Sequence, residues 1–274
     1  PYNKFLWEFE YRSEEHDEGE KVFLGHRGHF NGEDIIDIIV RQPATPRFVA
    51  RHLYNFFVAD EVQVPSWLDT PPRDPVAINI IGEAFISSGY DIRSTLRVLF
   101  NSDFFKDESV WYAKVKSPAE VVAGTIRLVQ DHQTPKPGMF EMGREPTYQG
   151  QGLIDPPSVE GWHTGQEWIN SGSLLQRVNF VAGQVGNTHL PGVQSIIERV
   201  GTKDVLSSDE FVDNCLEMMG PVMVNEETHQ ELVEHVETAG TILRGNTEEE
   251  HIVFANRVGE LLQLIGATRE YQFG

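Results

Sequence analysis

The sequence is short of cysteine, of basic residues and of long apolar runs. Cys215 is the only cysteine among 274 residues, so an intramolecular disulfide is excluded and a cysteine-based zinc site is not expected. Lysine and arginine total 22 against 42 aspartates and glutamates, which gives a formal net charge of -20. Such a surface repels the phosphates of nucleic acid, so nucleic acid is not an expected partner. No apolar run approaches the roughly 20 residues that span a bilayer, so we predict no membrane span.

Several catalytic motifs do not occur either. There is no phosphate-binding glycine loop, no dinucleotide fingerprint, no His-Glu-x-x-His pair and no Gly-x-Ser-x-Gly elbow. Nucleotide-binding, zinc-protease and serine-hydrolase functions therefore lose support. Cys215 lies between Val212 and Leu216 in a stretch with helical spacing, and we predict that its thiol is buried.

The sequence does contain a series of amphipathic segments with helix-start signals. Thr45-Pro46 and Ser117-Pro118-Ala119-Glu120 each place proline in the first turn after a capping residue. The apolar fraction is 39%, which is enough for a folded interior. Because strand and helix patterns do not alternate, we predict an all-α fold, an irregular multi-helix domain that allows a minor β-hairpin.

We expect one helical domain over residues 1–274. Residues 1–31 are predicted to form an irregular lead-in, and residues 171–274 a C-terminal helical part. Glycine and proline recur between residues 134 and 170. A structureless loop of this length is rare inside a compact domain, so we predict a long ordered loop there. The aromatic residues expected to anchor it are Phe140, Tyr148, Trp162 and Trp168.

The first candidate site is a cluster of ionisable residues in the lead-in. The imidazoles of His16, His26 and His29, with a neighbouring carboxylate, could bind zinc or another divalent cation. Alternatively, Asp17 could orient His16 as an acid–base pair while Lys21 binds an anionic group, which makes these three the candidates for catalysis. The simpler interpretation is a set of solvated loop histidines, because their spacing matches no defined metal signature.

The second candidate site lies at the end of the long loop. Trp162, Trp168, Asn170 and Arg177 combine two aromatic rings with an amide and a guanidinium. This combination suits a carbohydrate, an aromatic ligand or a carboxylate, and we predict a ligand-binding site. The structural alternative is that Trp162 plugs the loop and that Arg177 ties the loop to a helix.

Three segments, taken in order, resemble a known family. They are His16-Asp17 with Lys21, Gly25 and Gly32; Gln42-Pro43-Ala44-Thr45-Pro46-Arg47-Phe48-Val49-Ala50-Arg51-His52-Leu53; and Gly150-Gln151-Gly152-Leu153 followed by Pro156-Pro157-Ser158-Val159-Glu160-Gly161-Trp162 and Trp168-Ile169-Asn170. The chain resembles the bacterial family catalogued as a domain of unknown function, number eighteen hundred. The resemblance covers essentially the whole chain and corresponds to the C-terminal part of the family, without its usual helical N-terminal portion.

The resemblance implies a predominantly helical bacterial protein, often with an export signal. The genes of such proteins often neighbour those of a family similar to the alkaline-phosphatase and sulfatase superfamily. No catalytic residues come with the resemblance. We therefore expect an exported protein, in the periplasm, at the cell surface or outside the cell, that acts as an interaction or scaffold protein with this separate, enzyme-like partner.

Two alternatives stay open at this point. One is a metal-dependent hydrolase acting on an extracellular polymer or on a phosphate or sulfate ester, with the loop from His16 to His29 at its centre. The other is a structural component of a surface assembly. No cofactor is evident from the sequence other than the candidate divalent metal ion.

Overall fold

The computed structural model describes residues 10–162, 164–220 and 222–274. Over these residues the chain is mostly α-helical, with two short antiparallel strand pairs. The all-α prediction and its allowance for a minor hairpin are therefore confirmed. Among the described residues, no helix is both long enough and apolar enough to cross a membrane.

The chain divides into two compact units. The first contains the described residues up to Tyr54 together with residues 74–102, and the second contains residues 55–73 and 103–274. The expectation that the whole chain forms one helical domain stays a prediction.

A tight hairpin and several helices make up the first unit. Its elements are β1 (Lys21–Phe23), β2 (His26–Gly28), α1 (Gly32–Val40), the part of α2 (Ala44–Phe57) up to Tyr54, α3 (Pro75–Ser87) and α4 (Ile92–Asn101). Leu24 and Gly25 connect the two strands with φ angles of 47° and 82°. A two-residue loop with both φ angles positive matches the right-handed twist of a hairpin, which explains the strand pairing inside the predicted irregular lead-in.

The second unit is an assembly of helices around one apolar core. Its elements are the remainder of α2, α5 (Asp103–Lys106), α6 (Pro118–Val129), α7 (Met139–Tyr148), α8 (Ser171–Val185), α9 (Pro191–Val200), β3 (Val205–Leu206), α10 (Ser208–Met219), α11 (Glu226–Thr238), β4 (Ile242–Leu243), α12 (Glu248–Ala267) and α13 (Arg269–Gln272). The long helix α12 packs against α8, α9 and α10. Val181, Val258 and Leu262 are fully buried in this core. Each buried side chain of this kind stabilises the fold by roughly 1.5–3 kcal/mol.

Local sequence signals start many of these helices as predicted. The capping box at Ser117 is formed, with the Glu120 carboxylate accepting from the Ser117 backbone N–H at 2.6 Å. The helix it starts ends at Val129, because Gln130 takes a left-handed conformation with a φ of 56°. The buried position predicted for Cys215 is confirmed, and burial raises the pKa of its thiol to about 12.

The glycine- and proline-rich segment 134–170 is not a loop throughout. It contains α7, which begins after Gly138 at a positive φ of 91°, and a 3-10 turn at Gly165–Trp168. Pro146 lies within the last turn of α7. The helix ends because Gly150, with a φ of 100°, closes a Schellman motif. In this motif the Gln151 N–H donates to the Pro146 oxygen at 2.7 Å and the Gly150 N–H donates to the Thr147 oxygen at 3.1 Å.

The close contact between α9 and the end of α6 gives a test of this packing. A Cβ added at Gly192 would lie 2.8 Å from the Val129 Cα, so Gly192→Ala should lower the free energy of unfolding by about 2 kcal/mol or more. Gly124 lies inside α6 with open space around its Cα. As a control, Gly124→Ala should raise the stability by about 0.5–1 kcal/mol through helix propensity. Urea unfolding measures both, and unchanged stability in Gly192→Ala would contradict this packing.

Candidate functional site

Glu18 organises two of the three histidines that were predicted to bind metal. The Nδ1 atom of His16 lies 2.8 Å from the Glu18 Oε1 atom. The Nδ1 atom of His29 lies 2.9 Å from the Glu18 backbone oxygen. Among the described residues, no group of three or more histidine, cysteine or acidic side chains is gathered in a way that could hold a metal ion. The metal site at His16, His26 and His29 stays a prediction.

The other ionisable residues of this loop are also engaged locally. Asp17 accepts a hydrogen bond from the Gly19 N–H at 2.8 Å. Lys21 donates to the backbone oxygens of Asp17 and Gly19. His26 is exposed at the start of β2. The hydrogen bond of Asp17 therefore goes to its own loop, and the acid–base pairing of Asp17 with His16 stays a prediction.

The second predicted set lies at the start of α8 in the second unit. Asn170 caps α8, its Oδ1 atom accepting from the Gly172 and Ser173 N–H groups at 3.1 and 3.0 Å. The Ser173 hydroxyl donates to the Trp168 backbone oxygen at 2.7 Å, and the Trp168 ring is buried. Trp162 is partly buried, and its indole N–H finds no hydrogen-bond partner among the described residues. These contacts explain how the loop enters α8.

Arg177 is the buried centre of a network that joins distant segments. Its side chain is 0% exposed. Its Nη2 atom donates to the Lys116 backbone oxygen at 2.6 Å, and its Nε atom donates to the Gln272 side-chain oxygen at 3.1 Å. Nη1 has no hydrogen-bond partner among the described residues. Arg177 thus holds the segment before α6 beside the C-terminal end of the chain.

The two segments that Arg177 joins are also paired through their backbones. The Lys116 N–H donates to the Gln272 oxygen at 3.1 Å, and the Gly274 N–H donates to the Lys114 oxygen at 2.9 Å. Val115 and Phe273 lie opposite each other in an antiparallel bridge between these bonds. The pairing places both residues in the wall of one cavity.

Burial lowers the pKa values of two cations in this network. Desolvation lowers the pKa of Arg177 from 12.5 to about 10, while the Glu120 carboxylate acts in the opposite direction. Desolvation also lowers the pKa of Lys116, again opposed by Glu120 and reinforced by Arg177. Arg177 therefore remains charged at neutral pH, and its buried charge depends on the oxygens that surround it.

A cleft of about 550 Å³ lies beside this pairing, within the second unit. Its lining residues come from the stretches 60–66, 112–115 and 164–167, from Arg73 and from the C-terminal Arg269 and Phe273. The lining includes three acidic residues, two arginines and several amide or hydroxyl side chains. This size and this mixture of groups are typical of a site for a small polar ligand.

Asp60 holds two walls of the cleft together. Its Oδ2 atom accepts from the Val115 N–H at 2.8 Å, and its Oδ1 atom lies 3.4 Å from the Lys114 Nζ atom. Gly165 approaches the same carboxylate so closely that an added Cβ would lie 3.1 Å from the Asp60 Cγ atom. Its φ of 65° also favours glycine. Gly165 therefore allows the stretch 164–167 to reach the cleft.

The residues of this cleft were not predicted from the sequence. Asp60 follows α2, Arg73 lies in a proline-rich connector and Arg269 follows α12. These residues share only one feature in the sequence: they are polar and lie in loops or at helix ends. Many other surface residues have the same feature. Of the predicted ligand-binding residues, Arg177 binds Lys116 and Gln272, which are the chain neighbours of the lining residues Val115 and Phe273.

The sequence motifs agree with a comparison against known families. A family model described as "Protein of unknown function (DUF1800)" matches residues 6–273. The chain belongs to this family. No curated protein and no solved structure matches it. Membership in DUF1800 brings neither a reaction nor a set of functional residues.

The dependence of this DUF1800 protein on Arg177 can be tested by its removal. Arg177→Ala leaves the Lys116 and Gln272 oxygens without their buried donor. Since each unsatisfied buried acceptor costs about 1–3 kcal/mol, we expect the free energy of unfolding to fall by about 2–6 kcal/mol. The amide hydrogens of Lys116 and Gly274 should also exchange faster with solvent. Arg127→Ala removes an exposed arginine from α6 and should have an effect within about 0.5 kcal/mol. A change below about 1 kcal/mol in Arg177→Ala would contradict the central role of this residue.

The predicted metal site calls for a separate measurement. The metal content of the natively purified protein is compared with that of a His26→Ala/His29→Ala variant by elemental mass spectrometry. If the loop holds a divalent ion, near-stoichiometric metal is expected in the native protein and should disappear in the variant, because two of its three imidazole ligands are removed. Metal-free protein in both cases would overturn the metal site and the hydrolase hypothesis that depends on it.

Proposed function

We propose that this DUF1800 protein is an exported interaction protein that docks onto a separate protein partner through residues 149–161, here named the docking loop. The observation that carries the proposal is the conformation of Ile154, which is 97% exposed and has a φ of 64°. A positive φ is strained for a β-branched residue, at a cost of about 1–2 kcal/mol. The exposed side chain adds no compensating burial within the chain, so its benefit is expected in an intermolecular contact.

Other apolar side chains support the same interpretation. Leu153 and Val159 are exposed in the docking loop, and Phe140 and Tyr148 are exposed on the preceding helix α7. Exposed aromatic and aliphatic side chains concentrated in one stretch of chain are typical of protein interaction sites.

The docking loop is also held in place at its start. The Gln151 side-chain oxygen accepts from the Ala119 N–H at 2.9 Å, and the Gln151 N–H donates to the Pro146 oxygen at 2.7 Å. Turns close at Asp155 and at Gly161, whose N–H groups donate to Gly152 and Ser158. Such preorganisation reduces the entropy lost on binding and so favours affinity.

The nature of the partner is proposed from the family resemblance. Genes of similar proteins often neighbour those of a phosphatase- or sulfatase-like family, and such proteins often carry an export signal. We take that exported, enzyme-like protein as the partner. A basic rim on the partner would complement the net charge of -20 on this chain.

The decisive experiment measures, by titration calorimetry, the binding of this chain to the purified phosphatase- or sulfatase-like protein that a neighbouring gene encodes. Ile154→Gly should weaken binding at least tenfold, because it removes the exposed apolar anchor. The same change should leave stability unchanged or raise it by up to about 1 kcal/mol, since glycine accepts the positive φ. Leu68→Ser is the control, because Leu68 lies elsewhere in the unit and is almost as exposed as Ile154, at 93%.

Each outcome separates one part of the proposal from another. If Ile154→Gly and Leu68→Ser weaken binding equally, or if neither weakens it, the docking loop is rejected as the contact surface. No binding to the neighbour-encoded protein would reject that partner. Self-association of the purified chain that Ile154→Gly abolishes would favour the surface-assembly hypothesis instead. Detection of the protein in the cytoplasmic fraction alone would contradict export.

A further inference from the structure

In the cleft of the second unit, two carboxylates have partners within the fold, whereas the two arginine side chains form no ion pair with a described residue. Asp60 is held by Lys114 and by the Val115 N–H. Glu61 is buried, and its Oε1 atom accepts from the Arg73 backbone N–H at 2.7 Å. Asp60 and Glu61 therefore serve the fold itself, as partners of backbone and side-chain donors.

The guanidinium groups of the cleft are not engaged in this way. The Arg73 side chain is exposed and makes no hydrogen bond or ion pair within the described ranges. Its backbone is nevertheless fixed by Glu61. The Arg269 guanidinium lies 5.2 Å from the centre of the Phe273 ring and forms no ion pair with a described residue. Two positive groups are thus presented to one cavity from positions that the fold holds in place.

We propose that this cleft binds a small polar molecule through a carboxylate, which Arg73 and Arg269 hold. A guanidinium matches a carboxylate with two parallel N–H···O hydrogen bonds, which adds direction to the charge attraction. Arg269 is further oriented by its contact with the Phe273 ring, as a cation over an aromatic face. This inference concerns a ligand site and does not depend on the docking loop.

The remaining polar residues of the lining indicate which groups the ligand carries besides its carboxylate. Gln63, Ser66, Thr164 and Gln166 supply amide and hydroxyl groups. Gln63 is positioned by donating from its Nε2 atom to the Thr164 backbone oxygen at 3.0 Å. These groups suit the hydroxyls of a sugar acid or the amides of a short peptide end. A volume of about 550 Å³ is within the range of ligand pockets, about 300–1,000 Å³.

The acidic residues select against anions of higher charge. Asp60, Glu61 and Glu167 line the same cavity as the two arginines. Because these three acidic residues outnumber the two arginines, the lining carries excess negative charge, which opposes a phosphate dianion more strongly than a carboxylate. We therefore expect carboxylates to bind more tightly than inorganic phosphate.

Matched pairs of probes test the ligand class on the whole chain. N-acetyl-alanyl-alanine is compared with its C-terminal amide, D-glucuronate with D-glucose, and inorganic phosphate is tested alone. Binding is followed by nuclear magnetic resonance of the nitrogen-15-labelled protein. At least one carboxylate should shift the Nε–H signals of Arg73 and Arg269 and the amide signals of residues 164–167. The neutral member of its pair should bind at least tenfold more weakly.

Three single variants, each of which removes one positive charge, test whether the probe binds in the cleft. Arg73→Ala should weaken the best carboxylate probe at least tenfold without lowering the melting temperature, because its exposed guanidinium makes no hydrogen bond or ion pair with a described residue. Arg269→Gln should weaken the probe similarly. Arg199→Ala removes an exposed arginine of α9 outside the cleft and should leave binding unchanged.

Three results would overturn the inference. The first is that no carboxylate probe binds at its highest soluble concentration. The second is that Arg199→Ala weakens binding as much as Arg73→Ala, which would indicate a response to net charge only. The third is that phosphate binds while both carboxylates fail, which would reject the ligand class. None of these results bears on the partner bound by the docking loop.

Discussion

The buried guanidinium of Arg177 is the interaction on which the arrangement of the second unit depends. Desolvation of this cation is costly, and its hydrogen bonds to Lys116 and Gln272 offset that cost only when both segments are in place. The backbone pairing of Val115 with Phe273 lies beside the guanidinium and forms a wall of the cleft. Helix packing around α12 supplies the apolar burial, whereas Arg177 specifies how two irregular segments meet.

The cleft and the docking loop both depend on segments that are fixed by polar contacts. Asp60 pins the stretch 112–115, and Gly165 lets the next wall approach that carboxylate. The start of the docking loop is held by Gln151 against the first turn of α6. Irregular backbone must find partners for its N–H and C=O groups outside regular helices, and side chains of Asp and Gln provide them here. Rigid loops of this kind can present groups to a ligand or partner with little loss of entropy on binding.

Helix starts could be predicted because their causes are local. The boxes at Ser117 and Ser207 each need only a hydroxyl and a glutamate three residues later. Helix ends were harder to predict, since a left-handed residue such as Gln130 carries no sequence signal as strong as glycine. The position of the hairpin could not be predicted, because its strands are three residues long, which is too short for alternation to be visible. The role of Glu18 was not predicted, because acidic residues are abundant throughout the lead-in.

The sequence by itself determined the family, the helical class, the negative net charge and the burial of Cys215, because these follow from composition, ordered motifs and short-range spacing. Only the tertiary structure decided what Arg177 binds, since its partners lie 61 and 95 residues away along the chain. The same is true of the cleft, in which Arg73 and Arg269 come from distant segments. Local patterns record which face of a helix is apolar, but they do not record which remote polar group a buried cation will meet.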